Sequence, residues 1–400
     1  MHLPALVVSL FASGLGGLAH SEPLHGAART GSIIQAHLAL LCCPDAVNAP
    51  ERRTKGRPAT PVHIAASGNN VGVLNLLLAR GGRVNDPGQS GGAPLQHAAR
   101  RNSTGTVELL LKHGATLDIF SAVALNRQDD VRLMFRAAGV FGLQKQLANL
   151  RSDGPGWGSQ TLLTEAVATG DVRMVELLIR HGAEVNPHAD PRAPIDWLPL
   201  YRAVTAQRID MVELLIRHGA KVNPYADSRK TLAWTPLHAA VYARRRDIAV
   251  FLLQKGAKAD AQDCDGSTAL HMAVGIGDVE MVRVLLKHGA NPNTQRDYYL
   301  PRASMPNGDP RTFSTPLHTA IERESLELVA LLLANGASLT TRDAMRRNPV
   351  DLALKIMPGR MVHLAGQPKP TAPEPEELSV NRALCLKLLL RYGGKSSEQK

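Results

Sequence analysis

The 400-residue sequence predicts an all-α fold, a stack of one small helical unit repeated along the chain. Three observations predict it. A short phrase recurs as EPLHGAA at Glu22, TPVHIAA at Thr60, TPLHAAV at Thr235, TALHMAV at Thr268 and TPLHTAI at Thr315. A second phrase, VELLLKHGA, VELLIRHGA or VRVLLKHGA, recurs between such copies. Aromatic residues make up only 4% of the chain while Leu and Ala abound, which suits closely packed helices rather than a sheet of β-branched strands. A stack grows along one axis without a single large core, so the length does not require separate globular domains.

The chain opens with residues 3–18, LPALVVSLFASGLGGL, its one long uncharged apolar segment outside the repeats. Ala19-His20-Ser21 then resembles a small-x-small cleavage site. Residues 1–21 therefore read as a secretory signal peptide, placing the protein in the periplasm or outside the cell. The alternative is a cytoplasmic protein whose hydrophobic start covers the end of the stack. No other run is long and apolar enough to span a bilayer, so no stable membrane span is expected after removal of the signal.

Residues 235–257, TPLHAAVYARRRDIAVFLLQKGA, show the grammar of the unit. Thr235 can cap a helix whose first residue is Pro236, where the missing amide costs nothing. Leu237, Ala240 and Val241 recur at helical spacing, a polar turn follows at Arg245–Asp247, and Ile248, Phe251 and Leu252 form a second apolar stripe. Gly256 after Lys255 is a glycine stop with a cation in the last turn. Such helices are too short to persist alone and need neighbours.

The same grammar runs along the chain. First helices are expected to begin near Pro23, Pro61, Pro94, Leu162, Pro199, Pro236, Ala269, Pro316 and Pro349, with a degenerate unit over residues 118–138. Second helices should stop at Gly81, Gly114, Gly182, Gly219, Gly256, Gly289, Gly336 and Gly393. The histidine slot is filled in order by His25, His63, Gln96, Ser121, Thr164, Tyr201, His238, His271, His318 and Asp351. Three of the intervals are 33 residues, which sets the period, and longer ones mark inserted loops.

On Thr235 to Ala240, Val282 to Leu286 and Gly289 to Asn293, the sequence resembles the ankyrin-repeat family, whose pattern is T-P-L-H-x-A-A, then V-x-x-L-L, then G-A-x-x-N. The resemblance covers roughly residues 22–394, about ten units, followed by a polar tail at 395–400. It implies an ankyrin-repeat solenoid of paired antiparallel helices with projecting hairpin-like loops and a concave ligand-binding face. It also implies that the Thr and His of Thr235/His238 and Thr315/His318 share a hydrogen-bonded turn.

The histidines otherwise invite a metal reading, which spacing opposes. Equivalent positions on packed helices lie roughly 8–10 Å apart, whereas zinc ligands each approach within about 2 Å. No metal, cofactor or catalytic residue is expected. His113, His181, His218 and His288 precede glycine stops, where partial positive charge is favourable at a helix C-terminus.

The inserted loops carry more individual information. Residues 186–197, NPHADPRAPIDW, are echoed by 223–234, NPYADSRKTLAW. Trp197 and Trp234 each precede a helix and can pack on it like a hydrophobic staple, or serve as anchors for a partner. Tyr225 lies in a loop body among polar residues. The longest insertion, 294–313, has no clear secondary-structure period and contains Tyr298 and Tyr299. Tyr225, Tyr298, Tyr299, Trp197 and Trp234 are the candidate partner-binding residues. Residues 358–380 include a Pro-rich acidic stretch, which interrupts the last unit between its two helices.

The formal net charge of +11 favours acidic partners. Its densest runs, Arg52 to Arg57 and Arg244-Arg245-Arg246, are scattered and form no continuous basic stripe, so an acidic protein partner is favoured over nucleic acid. Four dispersed cysteines make no disulfide framework. Phosphate-loop, H-E-x-x-H and G-x-S-x-G motifs are missing, and nothing outside the repeats is large enough for a catalytic domain. The sequence therefore reads as a non-enzymatic protein-interaction scaffold or adaptor, with a structural spacer or a regulatory subunit of an enzyme as the alternatives.

Overall fold

A computed structural model describes residues 22–51, 59–87, 92–140, 144–148, 150, 161–187, 198–224, 234–263, 266–299, 311–343, 345–354 and 380–393. The chain divides into two compact units, Met1–Pro187 and His188–Lys400. The segment 1–21, Arg52 to Arg57, Trp197 and Tyr225 lie outside the described residues.

In the first unit the helices come in pairs: α1 (Glu22–Thr30) with α2 (Ile33–Cys42), α3 (Pro61–Ser67) with α4 (Val71–Ala79), and α5 (Pro94–Arg100) with α6 (Thr104–Lys112). Next come α7 (Ile119–Ala124) with α8 (Gln128–Val140), the short α9 (Gln144–Ala148), and α10 (Leu162–Thr169) with α11 (Val172–Arg180). First helices pack side by side in the order α1, α3, α5, α7, α10, and α2, α4 and α6 pack alongside one another behind them. Between the layers Leu24, Val62, Leu74, Leu77, Leu95 and Leu110 are completely buried. Each such leucine stabilises by about 1.5–3 kcal/mol, which offsets the marginal stability of helices this short.

The second unit repeats the arrangement. Its pairs are α12 (Pro199–Thr205) and α13 (Ile209–Arg217), α14 (Pro236–Tyr242) and α15 (Arg246–Gln254), and α16 (Ala269–Ile276) and α17 (Val279–Lys287). They continue with α18 (Pro316–Glu322) and α19 (Leu326–Ala334), then α20 (Pro349–Ala353) and α21 (Val380–Arg391). Although residues 355–379 lie between them, α20 and α21 pack together, and the Arg382 guanidinium donates to the Leu352 and Ala353 carbonyls at 2.7 and 3.1 Å.

The first helices start at the expected Pro, Leu or Ala because the residue before each adopts an extended conformation and Pro fixes the next φ for helix. Second helices end where glycines such as Gly219 and Gly289, both at φ 86°, turn the chain through the left-handed region. The first pair departs from this rule. Its second helix ends at Cys42 without a glycine, and a 3₁₀ turn over Pro44–Asn48 reverses the chain instead. The long insertion also has more order than its sequence suggested. Strands β1 (Arg296–Tyr299) and β2 (Arg311–Ser314) pair antiparallel at its base.

Candidate interaction surface

Every clear first helix begins on one buried network. The Thr235 N–H donates to His238 Nδ1 at 3.2 Å, and the Thr235 hydroxyl lies 2.8 Å from the same nitrogen. A backbone N–H can only donate, so Nδ1 accepts and the ring proton sits on Nε2. Nε2 in turn donates to the Ser267 carbonyl of the next repeat at 3.1 Å. His271 reaches Ser314 at 3.1 Å and His318 reaches Arg347 at 3.4 Å in the same way. His25 and His63 reach Ala49 and Gly92 at 3.0 and 3.1 Å.

Burial pushes the His63, His238 and His318 rings below the usual histidine range, and His271 down to about 4. Each ring is thus a neutral clamp between repeats. Asp351, an acceptor only, takes the Asn348 N–H at 3.0 Å and closes the cap of its own helix. In the third pair Gln96 replaces histidine and donates to the Asp118 carboxylate at 2.9 Å.

A second set of bridges escaped the reading of the sequence. Asn85, Asn223 and Asn293, four residues beyond a glycine stop, each donate a side-chain N–H to the next stop's carbonyl: Gly114 at 3.0 Å, Gly256 at 2.7 Å and Gly336 at 2.9 Å. Their side-chain oxygens accept the N–H groups of Thr116, Lys258 and Ser338. Asn48 does the same from the 3₁₀ turn toward Gly81 and Arg83. The signal was the recurring Asn at that offset. Asp260 fills the slot beyond Gly256 and keeps the acceptor half, taking the Asn291 N–H at 2.8 Å. A carboxylate has no N–H to give to the Gly289 carbonyl.

Of the candidate partner-binding residues, Trp197 and Tyr225 lie outside the described residues. Tyr298 and Tyr299 are in β1, in register with Thr312 and Arg311. Trp234 is half-buried and packs on the helix it precedes, as the staple reading expected, but further along it. Its ring lies 4.9 Å from that of Tyr242, seven residues past the Thr235 cap, rather than over the first turn. Tyr242, which the sequence did not single out, is 63% exposed.

His181 also departs from expectation. Its ring stacks on buried Phe135 with centroids 4.1 Å apart, and desolvation lowers its pKa, which disfavours the positive charge expected at that helix end. Among the described residues no group of three His, Cys, Asp or Glu is arranged to hold a metal ion, and no helix is long and apolar enough to cross a membrane.

The turns between first and second helices differ along the chain. Arg245 donates to the Gln207 carbonyl, Arg244 to that of Ile276 at 3.5 Å, and Arg323 to that of Gly275 at 2.6 Å. Arg208 and Arg245 additionally pair with Asp210 and Asp247 at 2.8 and 2.6 Å. Arginines thus link neighbouring turns throughout the middle of the second unit.

Models of ankyrin repeats match residues 24–121, 123–226 and 225–296, each described as three copies, and residues 307–353, described as many copies. The chain is 28% identical over 138 residues to the transient receptor potential cation channel subfamily A member 1 of Homo sapiens, a match spanning 32% of this chain and 12% of that protein. It is 32% identical over 167 residues to ankyrin repeat protein nuc-2 of Neurospora crassa, a match spanning 41% of this chain and 15% of that protein. The similarity therefore reaches only a small part of either relative. The family matches fall on the helix pairs whose caps, histidine clamps and asparagine bridges are described above, and the chain belongs to the ankyrin-repeat family.

Proposed function

We propose that the protein is a non-enzymatic interaction scaffold or adaptor that binds an acidic protein partner through the face of its first helices and its finger loops. Ankyrin repeats generally mediate protein–protein interaction, which supports the class of function. The observation that carries the reading is the use made of the buried polar groups. The clear-copy histidines and the bridging asparagines are committed to stacking one repeat on the next. A rigid stack presents its exposed side chains at fixed offsets, so little ordering entropy is lost on contact.

Affinity capture with the full chain, followed by reconstitution with the purified partner, tests this reading. A defined complex that is lost when Tyr225 and Tyr298 are both changed to Ala, with folding intact, is the expected result. A chain that forms no complex is the structural spacer. Residues 1–21 act in this proposal as a secretory signal, supported by their apolar run and small-x-small end. A mature N-terminus near Glu22 in an exported fraction is expected, and an intact Met1 on cytoplasmic protein overturns it.

A further inference from the structure

We infer that the turn edge around Gly275 docks an acidic peptide segment of the protein partner, with Arg244 and Arg323 as its anion-binding groups and Tyr242 as its aromatic ledge. The inference rests on the interaction role proposed above and gives it a place and a chemistry.

Two guanidinium groups converge on the C-terminal end of α16, one from each neighbouring repeat. Arg323 is held by the Gly275 carbonyl at 2.6 Å and Arg244 by the adjacent Ile276 carbonyl at 3.5 Å. Each bond uses one of the five donors of a planar fork and leaves the rest for a ligand. Arg208 and Arg245 are paired with carboxylates, but among the described residues neither Arg244 nor Arg323 is. The carbonyls therefore orient two guanidinium groups without neutralising them.

An apolar surface lies beside these cations. Gly275 stands seven residues past Thr268, the register that Tyr242 holds past Thr235, and α14 and α16 pack side by side. A Cβ at Gly275 would meet nothing within 4 Å, so open space adjoins the exposed Tyr242 ring, which Trp234 backs at 4.9 Å. Aromatic ledges next to arginines are the usual composition of interface hot spots.

Backbone strain makes the Arg244 side chain dispensable for folding. Arg244 sits at φ 55°, the left-handed turn position that Gly277, Asn102, Gln207 and Glu324 hold in sister repeats at φ 80°, 51°, 58° and 54°. The left-handed region disfavours an arginine, and its single long bond to Ile276 is a small return for the fold.

The acids nearby define the partner further. The Asp278 carboxylate is occupied by the Met281 N–H at 3.0 Å, while exposed Glu322 stands at the Tyr242 register on α18. Carboxylates of a peptide can chelate the two guanidinium groups and run away from Glu322 toward the aromatic pair. A nucleic-acid backbone needs a continuous basic stripe, which Glu322 interrupts.

The test measures fluorescence anisotropy of a labelled glutamate–phenylalanine peptide, with its glutamine–phenylalanine counterpart as control, added to the full chain. The acidic peptide should bind, and R244G, R323A and Y242A should each weaken it about ten-fold. E322Q should strengthen binding, and R244G should melt no lower than the unaltered protein. Equal binding of the glutamine peptide, undiminished binding by R244G and R323A, or displacement of the peptide by a single-stranded oligonucleotide at lower concentration would each overturn the site. No binding to the unaltered chain overturns it too, and leaves the interaction role to its own capture experiment.

Discussion

The two units connect their inter-helix turns with different chemistry. In the first, neutral or short side chains do it. Asn70 donates to the Ala28 carbonyl at 2.7 Å, Thr106 to that of Ala66 at 3.0 Å, and Asn126 bonds to Asp171. In the second unit Arg244, Arg245 and Arg323 reach backbone carbonyls of neighbouring turns. Short side chains lose less rotamer entropy than arginine when they are held in one bond, so the first solution costs less. Stacking therefore does not require arginine. Arg245 is neutralised by Asp247, whereas Arg244 and Arg323 pair with no carboxylate among the described residues and keep charge that stacking does not use.

Several changes would break or sharpen this contrast. The cores are built alike, so Leu110→Ala and Leu285→Ala should each destabilise their own unit by about 2–5 kcal/mol in denaturant unfolding followed by hydrogen exchange. A large difference between them would mean that the units rest on different packing.

The histidine clamps are likewise shared. His271→Ala should cost about 1–3 kcal/mol, because it leaves the Ser314 carbonyl and the Thr268 N–H without their partner. The pH dependence has a definite sign. The unfolded chain binds protons on these rings near 6.5, while the folded protein resists until His271 titrates at about 4. Stability should therefore be fully present above about pH 6.5 and fall as the pH drops toward about 4, in both units. A flat melting temperature across that window would contradict the neutral clamp.

Asp260→Asn should add the missing amide bond to the Gly289 carbonyl and stabilise the second unit by about 0.5–1.5 kcal/mol, read as a shift of its unfolding midpoint. Arg244→Gly should have the smallest effect on folding, a gain of up to about 1 kcal/mol as the left-handed strain is relieved. A marked loss would show that the arginine supports the stack.

Much of the scaffold was legible because its signals are local. A Thr-Pro pair sets a helix start at Thr235 or Thr315 within two residues, and a glycine sets a stop at Gly256. The base of the long insertion was not legible, since its strands pair Arg296 with Ser314 across a non-local register that no short window carries. The first pair hid its end for a similar reason: a 3₁₀ turn replaces the glycine. The candidate surface was the least legible part. Tyr242 stands inside a helical phrase that reads as core, and only the stacking of helices shows that its side of α14 is exposed. Arg244 stands in a scattered basic run, and neither its carbonyl partner nor its φ can be read from that run.

The claim that recognition and stacking separate in the second unit is tested most directly by measuring one protein, the R244G full chain, in two ways. Its thermal unfolding midpoint and its affinity for the acidic peptide should move apart, the midpoint equal or higher and the affinity about ten-fold weaker. A lower midpoint with unchanged affinity would contradict the account, because Arg244 would then belong to the scaffold.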